Sequence, residues 1–458
     1  MSAQVLLPEL CWLEGRLQPD LAITIGDSGH IESLGQRTGT EAVGTCLPGR
    51  ALFPGLVNAH SHAFQRLLRG RTEWQASGTD DFWSWRERMY AVAAVLSPEQ
   101  LEDVSAFAFL EMARAGITAV GEFHYLFRDP AGQAYADPNE LPRRVIRAAQ
   151  RVGIKIVLLR TAYARGGAGR ALEGAQRRFD LGDLDSFLSS TEALAQSLTT
   201  SPNVSVGLAP HSVRAVSPEQ LRVLGAAAAA RTWPVHMHLS EQPREIEACL
   251  AETKRRPVEL ASDCGLLTPR FSAVHAIHLS ATEIGLLGRA RATVVACPTT
   301  ERDLGDGVVP ADALRAAGAS LALGTDSQTQ IDLLEDARAL ELDLRLLRQK
   351  RLLVDGTPDQ RHALANTLLG AATAGGARAL WLPPPTFHQG APADFFSVDL
   401  SDPSLVGPTE DLVSTLVFSG QTRAIKDVMV AGRFIVRDGQ HPEAAIITER
   451  FRALTELL

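Results

Sequence analysis

Hydrophobic and polar positions along the middle of the chain follow two alternating patterns. Short apolar runs rich in β-branched residues recur at 53–57, 117–123, 154–159, 204–208, 235–239, 273–277, 293–296 and 320–323. Segments with helical periodicity lie between them, for example at 99–115, 184–198, 218–231 and 333–350. Eight strands that alternate with helices predict a parallel (β/α)8 TIM-like barrel. An open doubly wound sheet is the alternative, but no G-x-G-x-x-G motif follows the first run.

Both ends of the chain instead show short alternating β segments separated by turn residues. Two such segments flank Gly26-Asp27-Ser28-Gly29, which predicts a hairpin. The same tetrapeptide occurs around serine-protease nucleophiles, an interpretation that this context disfavours. Further β segments are predicted at 393–398, 428–431 and 434–436. We therefore predict a small β-sandwich-like domain of residues 1–52 and 378–458, beside a barrel of residues 53–377.

Composition excludes several classes of protein. The chain has 458 residues, of which 45% are hydrophobic and 21% charged, as in globular proteins. A net charge of −8 offers no basic surface for nucleic acid. No apolar run approaches ~18 residues and no basic leader is present, so we expect neither a membrane span nor a secretory signal. Five scattered cysteines without a C-x-x-C pair indicate reduced thiols and a cytoplasmic protein.

Histidines and an aspartate lie at the ends of four predicted barrel strands, where the active sites of such barrels are built. His60 and His62 end the first strand and, two residues apart, point to the same side. His238 ends the fifth strand, His275 the sixth, and Asp326 follows the eighth. A lone histidine pair would fit a structural role equally well. Four strand ends that deliver such groups together indicate a metal centre.

Three histidines and one aspartate suit a single Zn²⁺ ion, although another divalent metal such as Fe²⁺ could bind the same set. A second metal would need a bridging ligand, commonly a carboxylated lysine. Lys155, the one lysine in a predicted barrel strand, lies at the wrong end of it. Glu241 and His275 are left to move protons. His236 lies deeper in its strand and is predicted to be a packed, hydrogen-bonded histidine.

The motifs PGLVNAHSH, HxHLSE, VHAIH and GTDS resemble those of the metal-dependent amidohydrolase superfamily, in its deaminase and chlorohydrolase branch. The resemblance covers nearly the whole chain and implies that four residues bind the metal: His60, His62, His238 and Asp326. It implies that Glu241 shuttles protons and that His275 helps to activate water. One departure is mild: Val-His-Ala stands where the family usually has Ala-His-Cys.

Two arginines indicate the charge of the substrate. Arg86 follows the first strand in FWSWR, and Arg214 follows the fourth in PHSVR. Because a guanidinium binds a carboxylate as a planar fork, two arginines in one pocket would favour a small dicarboxylate over a neutral ring. The alternative is that Arg86, beside Glu87 and Arg88, belongs to a solvated helix face.

The segments NAHSHAFQRLLRGRTE, FWSWRERMY, EFHYLF and PHSVRAV resemble the N-formimino-L-glutamate deiminase branch of this superfamily. The branch implies that Arg86 binds the side-chain carboxylate and Arg214 the α-carboxylate. It further implies contacts to the formimino group or nearby atoms from Gln65, Tyr125 and His211. Spacing alone does not select Gln65 and Tyr125 over His124 or Gln133.

The implied reaction belongs to histidine degradation. By this resemblance, metal-bound water would give a proton to Asp326 or His275, and the resulting hydroxide would attack the formimino carbon. Glu241 would then deliver a proton to the departing nitrogen. The products are N-formyl-L-glutamate and ammonia. A ring deaminase or chlorohydrolase acting on a purine, pyrimidine or triazine is the alternative, and a non-enzymatic assembly protein of the dihydropyrimidinase type is a second one. The expected partners are a dicarboxylate substrate and, in a homodimer, a second copy of the chain, without nucleic acid or membrane.

Overall fold

The computed structural model describes residues 4–38, 44–74 and 80–457, and two eight-stranded sheets organise them. The strands in chain order are β1 (Gln4–Leu13), β2 (Arg16–Pro19), β3 (Leu21–Ile25), β4 (Ile31–Gln36), β5 (Thr45–Pro54), β6 (Leu56–Ser61), β7 (Ile117–His124), β8 (Lys155–Ala162), β9 (Val204–Pro210), β10 (Val235–Leu239), β11 (Phe271–His275), β12 (Thr293–Ala296), β13 (Ser320–Leu323), β14 (Phe395–Asp399), β15 (Ile425–Val430) and β16 (Arg433–Val436).

Helices follow most of the barrel strands and cover their outer faces. The α-helices are α1 (Phe82–Val95), α2 (Pro98–Arg114), α3 (Glu140–Val152), α4 (Leu184–Ser197), α5 (Pro218–Arg231), α6 (Pro243–Thr253), α7 (Pro257–Asp263), α8 (Ala281–Arg289), α9 (Pro298–Leu304), α10 (Ala311–Ala316), α11 (Leu333–Arg348), α12 (Ala363–Gly370), α13 (Gly376–Leu380), α14 (Leu412–Ser419) and α15 (Ala444–Leu457). Within the described ranges, no helix is long and apolar enough to cross a bilayer.

The predicted parallel barrel is confirmed. Strands β6 to β13 pair in chain order with parallel neighbours, and a parallel bridge between Ser61 and Asp326 joins the first strand to the segment after the last. The Asp326 N–H donates to the His60 carbonyl oxygen at 3.0 Å, and the His62 N–H donates to the Asp326 carbonyl oxygen at 3.0 Å. Residues proposed as metal ligands therefore also close the barrel.

The first barrel strand begins later than the predicted run 53–57. The apolar segment up to Pro54 is the end of β5, which pairs with β1 and β14 in the other sheet, and β6 starts at Leu56. Gly55 connects the two, and a Cβ at this position would lie 2.3 Å from Thr118 Oγ1. Both segments are buried, so their hydrophobicity alone does not reveal where one sheet ends and the next begins.

The chain ends form the second sheet, as predicted. Its order is β16-β15-β14-β5-β1-β3-β4, with β2 on β1, and it is mixed because β1 and β5 run parallel. The hairpin predicted at residues 26–29 joins the antiparallel strands β3 and β4, and Gly29 supplies a left-handed φ of 77° there. The sheet has its own small apolar core, which includes Leu6, Ile23 and Phe395. The boundaries at residues 52 and 377 stay a prediction; α13 packs against β6 and β13 of the barrel.

An ion pair ties the two parts together at the bottom of the barrel. Lys155, the first residue of β8, pairs with Asp394 just before β14, and Asp394 also accepts the Ala431 N–H at 2.7 Å. The Asp394 side chain is 7% exposed and that of Lys155 is 14% exposed. Lys155 thus lies at the N-terminal end of its strand, and its role there is structural.

We predict that Lys155→Met destabilises the fold without touching the site. It leaves a buried carboxylate without its cation, which lowers the free energy of unfolding by about 3 kcal/mol, the lower end of the range for breaking a buried pair. Urea unfolding curves compare it with Lys254→Met, a change at an exposed position. Equal unfolding midpoints for the two variants would contradict this role.

Candidate active site and metal centre

Four buried side chains converge at the C-terminal end of the barrel. The ligand atoms of His60, His62, His238 and Asp326 all lie within 4.8 Å of one another. Asp326 Oδ1 lies 3.2 Å from His60 Nε2 and 3.3 Å from His62 Nε2, and His238 Nε2 lies 3.1 Å from His60 Nε2. The structure therefore brings together the four residues that the sequence indicated.

The protonation of these rings fits a metal. His62 Nδ1 donates to the Phe123 carbonyl oxygen at 2.9 Å, and His238 Nδ1 donates to the His211 carbonyl oxygen at 3.1 Å. Because Nδ1 carries the proton, each Nε2 presents a lone pair to the centre. Burial lowers the pKa of His62 to about 3, so its ring is neutral. Lone pairs and a carboxylate that face one another repel, and a divalent cation among them would satisfy all of these donors.

Asp326 occupies an unusual backbone position. Its φ of 43° is left-handed, a conformation that non-glycine residues rarely adopt and that is often held at functional sites. Gly324 brings this segment close to β6, since a Cβ there would lie 2.7 Å from the His60 Cβ. The Asn58 Oδ1 accepts the Thr325 N–H at 3.1 Å, and Asn58 Nδ2 donates to Thr325 Oγ1 at 2.7 Å. Buried hydrogen bonds therefore hold the strained segment in place.

Glu241 lies directly after β10 and faces the metal site. Arg214 Nη2 donates to Glu241 Oε2 at 3.0 Å. The carboxylate of Glu245, in the first turn of α6, accepts the N–H groups of Ser240 and Glu241 at 3.2 and 3.3 Å. Burial raises the pKa of Glu245 to about 6. Sequence reasoning missed Glu245, because its role depends on how α6 folds back onto the loop.

His275, rather than His278, reaches the centre from the sixth strand. Its Nε2 lies 3.6 Å from Glu241 Oε1 and 3.8 Å from Asp326 Oδ2. His278 is turned away, and its Nε2 donates to the Asp306 carbonyl oxygen at 2.8 Å. His236 is fully buried and hydrogen-bonded to the Ala379 carbonyl oxygen at 2.8 Å, in the packed position predicted for it.

A cavity of about 470 Å³ opens above these groups. Arg86 and Arg214 both line it, so Arg86 does not belong to a solvated face, although its neighbour Glu87 is exposed. The Arg86 guanidinium lies 4.6 Å from the ring centroid of Trp83 and 5.3 Å from that of Tyr90. Among the described residues, Arg86 Nε and Arg214 Nη1 have no hydrogen-bond acceptor.

The three remaining predicted contact residues, Gln65, Tyr125 and His211, also line the cavity. Gln65 Nε2 donates to the Tyr125 hydroxyl at 2.9 Å, which fixes both side chains. His124 and Gln133 do not line it; His124 packs on Phe127 and Gln133 is exposed. The structure thus distinguishes Gln65 and Tyr125, which line the cavity, from His124 and Gln133, which do not, whereas sequence spacing alone could not.

Three further arginines at the cavity, Arg165, Arg170 and Arg244, were not predicted from the sequence. Arg165 is neutralised by Glu252, with contacts of 2.6 and 2.9 Å. Arg165 and Arg170 belong to the glycine-rich segment after β8, and the rule that barrel active sites use the loops after every strand could have drawn attention to it.

Comparisons with known proteins agree with this geometry. Residues 51–435 match the amidohydrolase family. A formimidoylglutamate deiminase from Pseudomonas aeruginosa is 40% identical over 395 residues, 86% of each chain. A 5-methylthioadenosine/S-adenosylhomocysteine deaminase from Halobacterium salinarum is 31% identical over 458 residues, 96% of each chain. The crystal structure of an amidohydrolase from Brucella melitensis superposes with a TM-score of 0.90 at 32% identity and 99% coverage of both chains.

These findings confirm the expected hydrolase acting on C–N bonds and the resemblance to the formimino-glutamate deiminase branch. The four clustered ligand residues fit the metal dependence of such enzymes. The chain belongs to the amidohydrolase family.

Proposed function

We propose that this enzyme hydrolyses N-formimino-L-glutamate to N-formyl-L-glutamate and ammonia, with one Zn²⁺ per chain. The observation that carries the proposal is the presence of Arg86 and Arg214 in the same cavity as the histidine–aspartate cluster. The 40% identical relative from Pseudomonas aeruginosa carries the name of this activity and supports it. We further propose a homodimer that acts in the cytoplasm in histidine degradation; the five cysteines are free, which suits a reducing compartment.

Charge distinguishes this substrate from a nucleobase. Arg86 has no carboxylate partner among the described residues, and Arg214 retains a free Nη1 beside its contact with Glu241. A ligand with two carboxylates would meet one arginine with each. Ring deaminases among the relatives favour the alternative, and the cavity does have aromatic walls. However, the Arg86 guanidinium lies over Trp83 and Tyr90, so a cation already occupies the faces of two of these aromatic rings.

A bound divalent metal supplies Lewis-acid activation of water. Three histidine nitrogens and one carboxylate oxygen form a set that zinc accepts, and Fe²⁺ is the other candidate. His275 Nε2 and Asp326 Oδ2 lie 3.8 Å apart beside the residues that would hold the metal, and either group could take a proton from water. Glu241 is placed to deliver a proton to the departing nitrogen, and Arg214 holds the Glu241 carboxylate in position. Arg86 and Arg214 orient the substrate through its carboxylates.

The direct test measures ammonia release from N-formimino-L-glutamate, from N-formimino amino acids with one carboxylate, and from adenosine-type nucleosides. We expect a preference for the dicarboxylate. A higher kcat/KM for a nucleoside would establish the ring-deaminase alternative instead.

The metal prediction is one equivalent per chain. His238→Ala removes one of the four donors, so elemental analysis should show metal lost to well below one equivalent, together with activity. His236→Gln, two residues earlier on the same strand, is the matched control and should retain the metal. Two equivalents in the active parent enzyme would contradict a mononuclear centre.

Glu241→Gln should abolish turnover while metal remains bound. The amide keeps the shape and can still accept from Arg214, but it cannot carry the proton, so kcat should fall ~10²–10⁴-fold. Glu247 is exposed on α6, and Glu247→Gln should leave kcat unchanged. If Glu241→Gln retained kcat within a few-fold of the parent, the shuttle would have to be another group.

Arg86→Met and Arg214→Met should each remove one charge-assisted pair with the substrate. Loss of one partner of a desolvated pair is worth ~2–5 kcal/mol, or about 30- to 4,000-fold in kcat/KM at ~1.4 kcal/mol per decade. Arg86→Met should reduce the ratio of kcat/KM for N-formimino-L-glutamate to kcat/KM for analogues without the distal carboxylate. Arg214→Met should reduce the corresponding ratio for analogues without the α-carboxylate. Because Arg214 also holds Glu241, its replacement should lower kcat as well. Variants that keep the parent's preferences would exclude both arginines from substrate binding.

A further inference from the structure

We propose that Glu301 is a positioning residue that fixes the orientation and tautomer of His275. Glu301 lies in the first turn of α9, after β12, and is 3% exposed. Its Oε1 lies 3.2 Å from His275 Nδ1. It does not line the cavity, so any effect on the substrate must pass through another residue, and His275 is its side-chain contact that does line it.

The contacts of His275 show why this one matters. On the cavity side, Nε2 faces Glu241 at 3.6 Å and Asp326 at 3.8 Å, and both distances exceed those of hydrogen bonds. The ring also stacks on His238, with centroids 5.6 Å apart and planes 17° apart. Stacking restrains the plane of the ring but does not decide which nitrogen faces the cavity. The contact with Glu301 is the one hydrogen bond that does so within the described part of the chain.

Glu301 is also held in place by a hydrogen bond that does not involve the imidazole. The Cys297 N–H donates to the same Oε1 at 2.9 Å. Because an ionised carboxylate only accepts, the proton between it and the imidazole belongs to Nδ1. Whenever His275 is neutral, its Nε2 lone pair therefore points into the cavity, where it can take a proton from water. The carboxylate then stabilises the imidazolium that results, as a buried acid does in other acid–histidine pairs.

A second metal is the competing interpretation, since ligand atoms of His275, Cys297 and Glu301 lie within 4.8 Å of one another. The hydrogen bond already occupies Nδ1, the nitrogen on this side of the ring. Burial also raises the pKa of the Cys297 thiol, which disfavours the thiolate that a metal would need. We therefore interpret this cluster as one that positions His275, and metal analysis of the variants distinguishes this role from a second metal site.

The test is a double-mutant cycle in the metal-loaded enzyme, and its kinetic arm rests on the proposed function. Glu301→Leu should lower kcat by ~10²–10⁴-fold with little change in KM, since it removes the acceptor and frees the ring. In the His275→Ala background the same change should have no further effect, because Glu301 acts through that histidine. Glu301→Gln keeps an acceptor for both N–H groups but loses the charge, so its kcat should lie between those of the parent and Glu301→Leu.

Glu283→Gln is the matched control. Glu283 is another fully buried carboxylate, and it accepts the Ser280 and Val258 N–H groups at the start of α8, away from the cavity. It should leave kcat unchanged. A further loss of activity from Glu301→Leu in the His275→Ala background would show a general structural role and overturn the proposal. Two metal equivalents in the parent that fall to one in Glu301→Gln would overturn it in favour of a second metal site.

A readout without substrate separates this proposal from the proposed function. Long-range ¹H–¹⁵N spectra of histidine-labelled enzyme report the tautomer of each ring, and His275→Ala assigns the relevant signal. We expect the Nδ1–H form in the parent and a mixed population in Glu301→Leu. An unchanged tautomer in Glu301→Leu would overturn the positioning role. If N-formimino-L-glutamate were not a substrate but the tautomer shifted as expected, the proposed function alone would fail.

Discussion

The site depends on the backbone pairing between β6 and the segment after β13. The backbone of Asp326 forms two hydrogen bonds of 3.0 Å, one with His60 and one with His62. The same three residues carry three of the four converging side chains. The barrel cannot close here without bringing two imidazoles and a carboxylate together. Their mutual desolvation is costly in an interior without a cation. Metal binding and the closed barrel should therefore stabilise each other, as a ligand that binds only the folded state does.

A second constraint is the pairing of the Glu241 carboxylate with the Arg214 guanidinium above the histidine–aspartate cluster. In the proposed reaction Glu241 moves protons next to the histidine–aspartate cluster, and Arg214 Nη2 donates to its carboxylate at 3.0 Å. Glu245 holds the backbone of Glu241 from behind. The loop after β10 is thus fixed at both its backbone and its side chain, which keeps the proposed proton carrier in place before substrate arrives.

The sequence predicted the barrel and the metal site because both depend on short-range rules. Strand ends at His238 and Asp326 follow from local apolar runs, and a period of two sets the facing of His60 and His62. The predictions that failed or were absent concern residues whose setting is decided elsewhere in the chain. The first strand was placed too early because Gly55 separates two segments that are both buried and apolar. Glu245 and Glu301 were missed because each acts through the first turn of the helix after its strand.

The arrangement of Arg214 suggests how specificity and chemistry are linked in this cavity. One guanidinium nitrogen holds Glu241, while Nη1 has no acceptor among the described residues. A substrate carboxylate that engages Nη1 would add a negative charge next to Glu241 and compete for the same cation. A ligand without this carboxylate would leave the Arg214–Glu241 pair as it is. Recognition of the carboxylate would therefore also act on Glu241, through the arginine that both contact, and a neutral ring substrate could not produce this coupling.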